Sequence, residues 1–272
     1  MFFLCFAVSG VVFAMESISE LAETTMESFL QVRMVCSKYD TDQESLQEIQ
    51  NYVDNVYNPI KDKLNYQEQM ILDNLIIMER FNYLKNDPKE GSETAKRELL
   101  SQLKLNTSYI DKERDLSPWL YTTSGNVIGC YMSFYPIPVA IKYGMRQKRY
   151  FETACRLDEN FSYGEAHLAQ WLIVAPRIYG GDEDRAGELF RSALENAHTD
   201  GEKYYCNIYL SQYYYEIGQY DKVSLYLNEA EKYFPQSNYI VKIREMNKKG
   251  SSIFSYKEAK EYKAKSKRGE NQ

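Results

Sequence analysis

Apolar positions recur at three- and four-residue intervals along most of the chain, and that spacing predicts one helix after another. Thr41-Asp42-Gln43-Glu44 reads as a capping box, with Thr41 as N-cap and Glu44 reaching back. Leu46, Ile49, Val53, Val56 and Tyr57 follow at helical spacing, and Pro59 is expected to end that element. Met70, Ile71, Leu75, Met78 and Leu84 mark the next helix, from Tyr66 to Lys85. Asp87-Pro88 and Ser117-Pro118 each read as an N-cap followed by proline at the first helical position. Ala95, Leu99 and Leu103 line the face between them, and Pro136 and Pro138 break the chain again. No stretch sustains period-two alternation with hairpin turns, so no sheet is expected.

The second half repeats itself. YFETACRLDENF (150–161), LFRSALENA (189–197) and LYLNEAEKYFPQS (225–237) each place an aromatic or leucine three residues before an alanine: Phe151 and Ala154, Phe190 and Ala193, Leu227 and Ala230. Such recurrence is the mark of stacked helix pairs. With one unit begun at Ser162 and another at Tyr204, Ala169 and Ser211 supply the small residue of the first helix. Tyr214, Gly218, Tyr220, Val223, Leu227, Ala230 and Pro235 complete the second unit, with IGQYDKV as the interhelical turn. The pattern resembles the tetratricopeptide repeat. The resemblance implies an all-α fold, an α-α superhelix of antiparallel helix pairs.

One motif invites chemistry. APRIYGGDEDRA (175–186) matches four of the five letters of the GGDEF signature of nucleotide cyclases, and its glycines suggest a phosphate loop. A cyclase signature needs flanking strands, and a phosphate loop needs a lysine rather than three carboxylates at the helix start. The motif reads better as an elongated corner. Gly180 or Gly181 takes a left-handed C-cap, Asp182 caps the next helix, and Glu183 and Asp184 complement its positive end. Together with the preceding helix, EAHLAQWLIVAPRIYGGDEDRAGELF (165–190) is similar to the TatT-type variant of the repeat. Those are bacterial exported proteins associated with TRAP-type solute transporters.

Composition narrows the function classes. The chain has 272 residues, 44% apolar and 26% charged, with only 7 prolines and 13 glycines. The net charge of −6 argues against nucleic acid, which calls for a basic stripe. MFFLCFAVSGVVFAMES reads as a signal peptide cut after Ala14, although no Lys or Arg precedes its apolar run. That run is too short to span a bilayer, so an exported, periplasmic or envelope-associated protein with no stable membrane span is expected, or a cytoplasmic one if the run is no signal. Cys36, Cys130, Cys155 and Cys206 read as small buried hydrophobes on helices, with pairing in an exported chain as the alternative. With two histidines and no CxxC, no metal or other cofactor is expected. No G-x-S-x-G occurs and neither histidine has a recognisable acid partner, so no enzyme is expected.

The domain reading is a leader over 1–14, an N-terminal helical lobe over 15–116, repeats over 117–250 and a basic tail over 251–272. The 25 tyrosines suit half-wet helical surfaces. Trp119, Tyr121, Trp171 and Tyr179 read as core aromatics or as pocket walls. Arg177, after Pro176, either points into a groove to hold an acidic group or pairs with Asp182 or Asp184. The resemblance places the concave groove on the first helix of each unit: Tyr163, Ala166, Gln170 and Ile173 in one, Tyr205, Ile208, Gln212 and Tyr215 in the next. The expected function is capture of a protein or peptide there, a transporter's solute-binding protein among the candidates. The alternative is a TatT-like component of a TRAP-type system holding a small hydrophobic or acidic ligand. An open groove favours the first and a closed, Tyr/Trp-lined pore the second.

Overall fold

Every regular element among the described residues is helical, and none is a strand. The structure is a computed structural model that describes residues 18–85, 87, 90–135 and 137–255, and of 137–142 the backbone only. The expected leader, Pro88, Pro136 and the tail beyond Ser255 lie outside the described residues. Among the described residues, eleven α-helices run α1 (Glu20–Cys36), α2 (Asp42–Tyr52), α3 (Tyr66–Leu84), α4 (Gly91–Ile110), α5 (Pro118–Met132), α6 (Ile137–Leu157), α7 (Ser162–Val174), α8 (Glu183–Glu195), α9 (Asp200–Glu216), α10 (Tyr220–Tyr233) and α11 (Asn238–Lys248). Neighbours in sequence pack as pairs, above all α5 with α6, α7 with α8 and α9 with α10. Helices α5, α7 and α9 also touch in succession, and α1 reaches back across the chain to lie on α9 and α3.

Local chemistry explains most boundaries. The Thr41–Glu44 capping box forms, and Ser117 caps α5 with Pro118 behind it. Pro59 does not stop the chain as expected. The helix loosens into a π-helical turn, Val53–Tyr57, and then tightens into a 3₁₀ segment, Asn58–Lys63, that contains the proline. Helix α4 starts at Gly91 rather than beside Pro88, yet Asp87 still serves it: its Oδ2 accepts from the Gly91 N–H at 3.1 Å.

The repeat positions are core. Phe151, Ala154, Phe190, Ala193, Leu227 and Ala230 are all buried, as are Ala169 and Ser211. Small side chains there let paired helices approach closely. Two apolar clusters result. One draws on α1 to α6 and reaches Tyr163; the other runs from Phe151 to Phe254 and takes Met34 from α1. Helix α1 thus packs into both.

Candidate functional site

The APRIYGG corner can be followed atom by atom. Helix α7 ends at Val174, a 3₁₀ turn covers Arg177–Tyr179, and Gly180 takes φ 91°, the left-handed cap. Asp182 accepts from the Arg185 N–H at 3.1 Å and opens α8. Gly181 is required for a different reason: a Cβ there would stand 1.9 Å from the Ala175 carbonyl oxygen. Arg177 is exposed on this turn, and no cavity described below includes it.

The groove residues divide. Ile208 and Gln212 are fully buried, and Ile173 is buried as well. Gln212 exchanges hydrogen bonds with Asn247 of α11 at 3.0 Å each way, and the Tyr215 hydroxyl donates to the Asn247 carbonyl at 3.0 Å. Tyr163 stacks on Trp119 at 4.9 Å and accepts from Asn126 at 3.3 Å. Gln170 and Tyr205 face a shared interior space, together with Trp171 and Tyr179. Helix α1 packs on α9, and Asn247 of α11 engages Gln212 and Tyr215 on the same helix.

That space is a half-open chamber of about 910 Å³. Its walls come from both ends of the chain. Tyr39, Tyr83, Tyr135, Trp171, Tyr209 and Tyr239 give it an aromatic lining, and Asn82, Asn126, Gln147 and Gln170 add amides. Lys85, Ser133, Met145 and Lys242 also line it and are exposed, so they mark where it meets solvent.

At its inner end sits a buried ion pair. Arg33 Nε lies 3.0 Å from Glu79 Oε2, with side-chain exposures of 12% and 4%. Glu79 also accepts from Asn82 at 3.2 Å and from the Tyr83 hydroxyl at 3.1 Å. The Arg33 guanidinium lies 4.1 Å over the Tyr205 ring and donates through Nη2 to Tyr209 Oη at 3.3 Å. Such neighbours are what a buried pair needs, since desolvation otherwise exceeds the Coulombic gain. Burial pushes the phenols of Tyr205 and Tyr163 up. Burial drives the His167 pKa down to about 3, so the ring is neutral; its Nδ1 stands 2.7 Å from the Tyr163 carbonyl and donates to it. Burial also raises the Cys36, Cys130, Cys155 and Cys206 thiols to about 12, and all four are free.

Arg33, Glu79, Asn82 and Tyr83 were not among the residues that sequence reasoning selected. The signal was present: Arg33 follows Phe29 and Leu30 on the apolar face of α1, and Glu79 follows Leu75 on that of α3. A charge on a buried stripe demands a partner. Among the described residues, no group of three or more His, Cys, Asp or Glu is placed to hold a metal, and no helix is long and apolar enough to cross a membrane. No protein-family model matches the chain, and no curated protein matches it at a significant score.

Proposed function

We propose that this chain is a non-enzymatic binding protein that holds a small ligand in a half-open chamber of a tetratricopeptide-like superhelix of paired helices. The observation that carries the reading is the Tyr- and Trp-lined chamber of about 910 Å³, a volume that suits a drug-sized molecule. The reading is preferred to peptide capture because α1 lies on α9, and α11 engages Gln212 and Tyr215 where an extended peptide would run. Export through the segment 1–14 forms part of the proposal on the apolar run that ends at Ala14, and work beside a TRAP-type transporter on the resemblance of residues 165–190.

Native mass spectrometry tests it. The expected result is a co-purifying small mass lost on denaturation. Met145 is an exposed residue at the mouth, so Met145→Trp obstructs the entrance without removing core packing. That variant should lose the mass, whereas Arg177→Ala should keep it. A bare monomer that instead captures a peptide would overturn the reading in favour of the groove.

A further inference from the structure

The inner end of the chamber gathers polar side chains. Arg33, His167, Tyr205 and Tyr209 share its wall. Arg33 uses Nε on Glu79 and Nη2 on Tyr209, and Nη1 makes no hydrogen bond to any described residue. Tyr209 accepts from Arg33, which leaves its own O–H to donate. Neutral His167 spends Nδ1 on the Tyr163 carbonyl, which leaves Nε2 as an acceptor. The inner end of the chamber therefore holds donors and an acceptor together.

Its charge is already balanced. Glu79 neutralises Arg33 at 3.0 Å, so the guanidinium is a directed donor rather than an unpaired cation. An anion accepting from Arg33 would share one guanidinium with the buried Glu79 carboxylate, and like-charge repulsion in a desolvated site would oppose it. The other charged wall residues, Lys85, Lys242 and Asp42, are exposed at the mouth, where water screens them.

Resting on the reading of the chamber as a small-ligand site, we infer that its ligand is uncharged at the inner end. It presents there a group that both accepts and donates, an amide or a hydroxyl, on a body apolar enough for the tyrosine walls. Acidic ligands are selected against.

The probes are 1-naphthaleneacetamide and 1-naphthaleneacetate, alike in shape and different in charge, titrated calorimetrically into the full chain at neutral pH. The amide should bind about tenfold or more tighter than the acid, the scale on which a neighbouring like charge disfavours a second anion. Glu79→Gln unbalances Arg33 and should erase or reverse that preference. Because Glu79→Gln can fail to fold, the paired Arg33→Met/Glu79→Leu variant provides a second measurement. It removes both charges and should bring the two probes to within about threefold, far below the like-charge scale. Equal or tighter binding of the acid by the unaltered chain would overturn the inference while leaving the small-ligand reading intact. Binding of neither probe by a folded chain would overturn both.

Discussion

Two glycines show how differently single residues are constrained. At Gly181 the obstacle is steric, with a Cβ 1.9 Å from a backbone oxygen, so Gly181→Ala and Gly181→Asn should both cost about 1–3 kcal/mol or more. At Gly218 the obstacle is conformational: φ is 77° and nothing lies within 4 Å. Gly218→Ala should cost about 1–2 kcal/mol, and Gly218→Asn distinctly less, because asparagine tolerates the left-handed region. Urea unfolding of the four variants checks the pattern, and equal costs for the two asparagine variants would contradict it. His167 supplies a pH signature. Its folded pKa, about 3, lies below the unfolded value of roughly 6.5, so only the unfolded chain takes up the proton between them. The stability linked to this ring is complete above about pH 6.5 and is lost as pH falls toward 3, by up to roughly 1.4 kcal/mol per pH unit. His167→Asn, which can keep a donor near the Tyr163 carbonyl, should have a shallower loss between pH 6.5 and 4 than the unaltered chain. Parallel curves would show that His167 does not titrate in this way. At this scale the roles of Gly180 and Asp182 could be read from the sequence, because a corner is local chemistry. Those of Arg33 and Glu79 could not be matched to each other, because their meeting depends on how α1 and α3 pack.

Whole helices were legible where caps and apolar stripes agree. The Thr41–Glu44 box and the Ser117-Pro118 start formed as the pattern predicts. Two further capping boxes, Asn65–Glu68 on α3 and Thr199–Glu202 on α9, follow the same grammar and passed unread between stronger apolar signals. The Thr199 box matters more than an exposed cap, because it fixes the start of α9, the helix that carries Tyr204, Tyr205 and Tyr209 toward α1. Thr199→Ala should cost about 1 kcal/mol, and Thr199→Ser should restore most of it. A shift in the thermal midpoint shared by both variants would mean that the methyl group, not the hydroxyl, is what α9 requires. Where stripe and breaker disagree, the sequence misleads. Pro59 looked terminal, but the chain continues through it by loosening into a π-helical turn before the proline and tightening into a 3₁₀ segment around it.

At the scale of the molecule, α1 decides whether the two apolar clusters behave as one. It contributes Met26, Phe29 and Leu30 to the first and Met34 to the second. Its C-terminal end is tied to α9 and α11 by polar contacts: the Tyr239 N–H donates to the Ser37 carbonyl at 3.0 Å, the Tyr205 hydroxyl to the Arg33 carbonyl at 3.0 Å, and the Tyr204 hydroxyl to Ser37 Oγ at 3.1 Å. None of this was visible in the repeat pattern, which describes only neighbours in sequence, whereas these contacts span more than 160 residues. The Arg33–Glu79 pair sits at the junction, and its energetics follow from burial. Arg33→Ala leaves an uncompensated carboxylate in the interior and should cost about 3–5 kcal/mol. Arg33→Met/Glu79→Leu removes both charges, keeps most of the volume, and should cost far less than the two single substitutions together. If α1 couples the clusters, Arg33→Ala should also separate unfolding into two transitions, with tyrosine fluorescence and helical circular dichroism no longer coincident. The double substitution should restore one transition, because Phe29, Leu30 and Met34 still bridge. Coincident single transitions in both variants would mean that the packing of α1 joins the two halves without help from the ion pair. The pair would then be kept for what it presents to the chamber rather than for the fold.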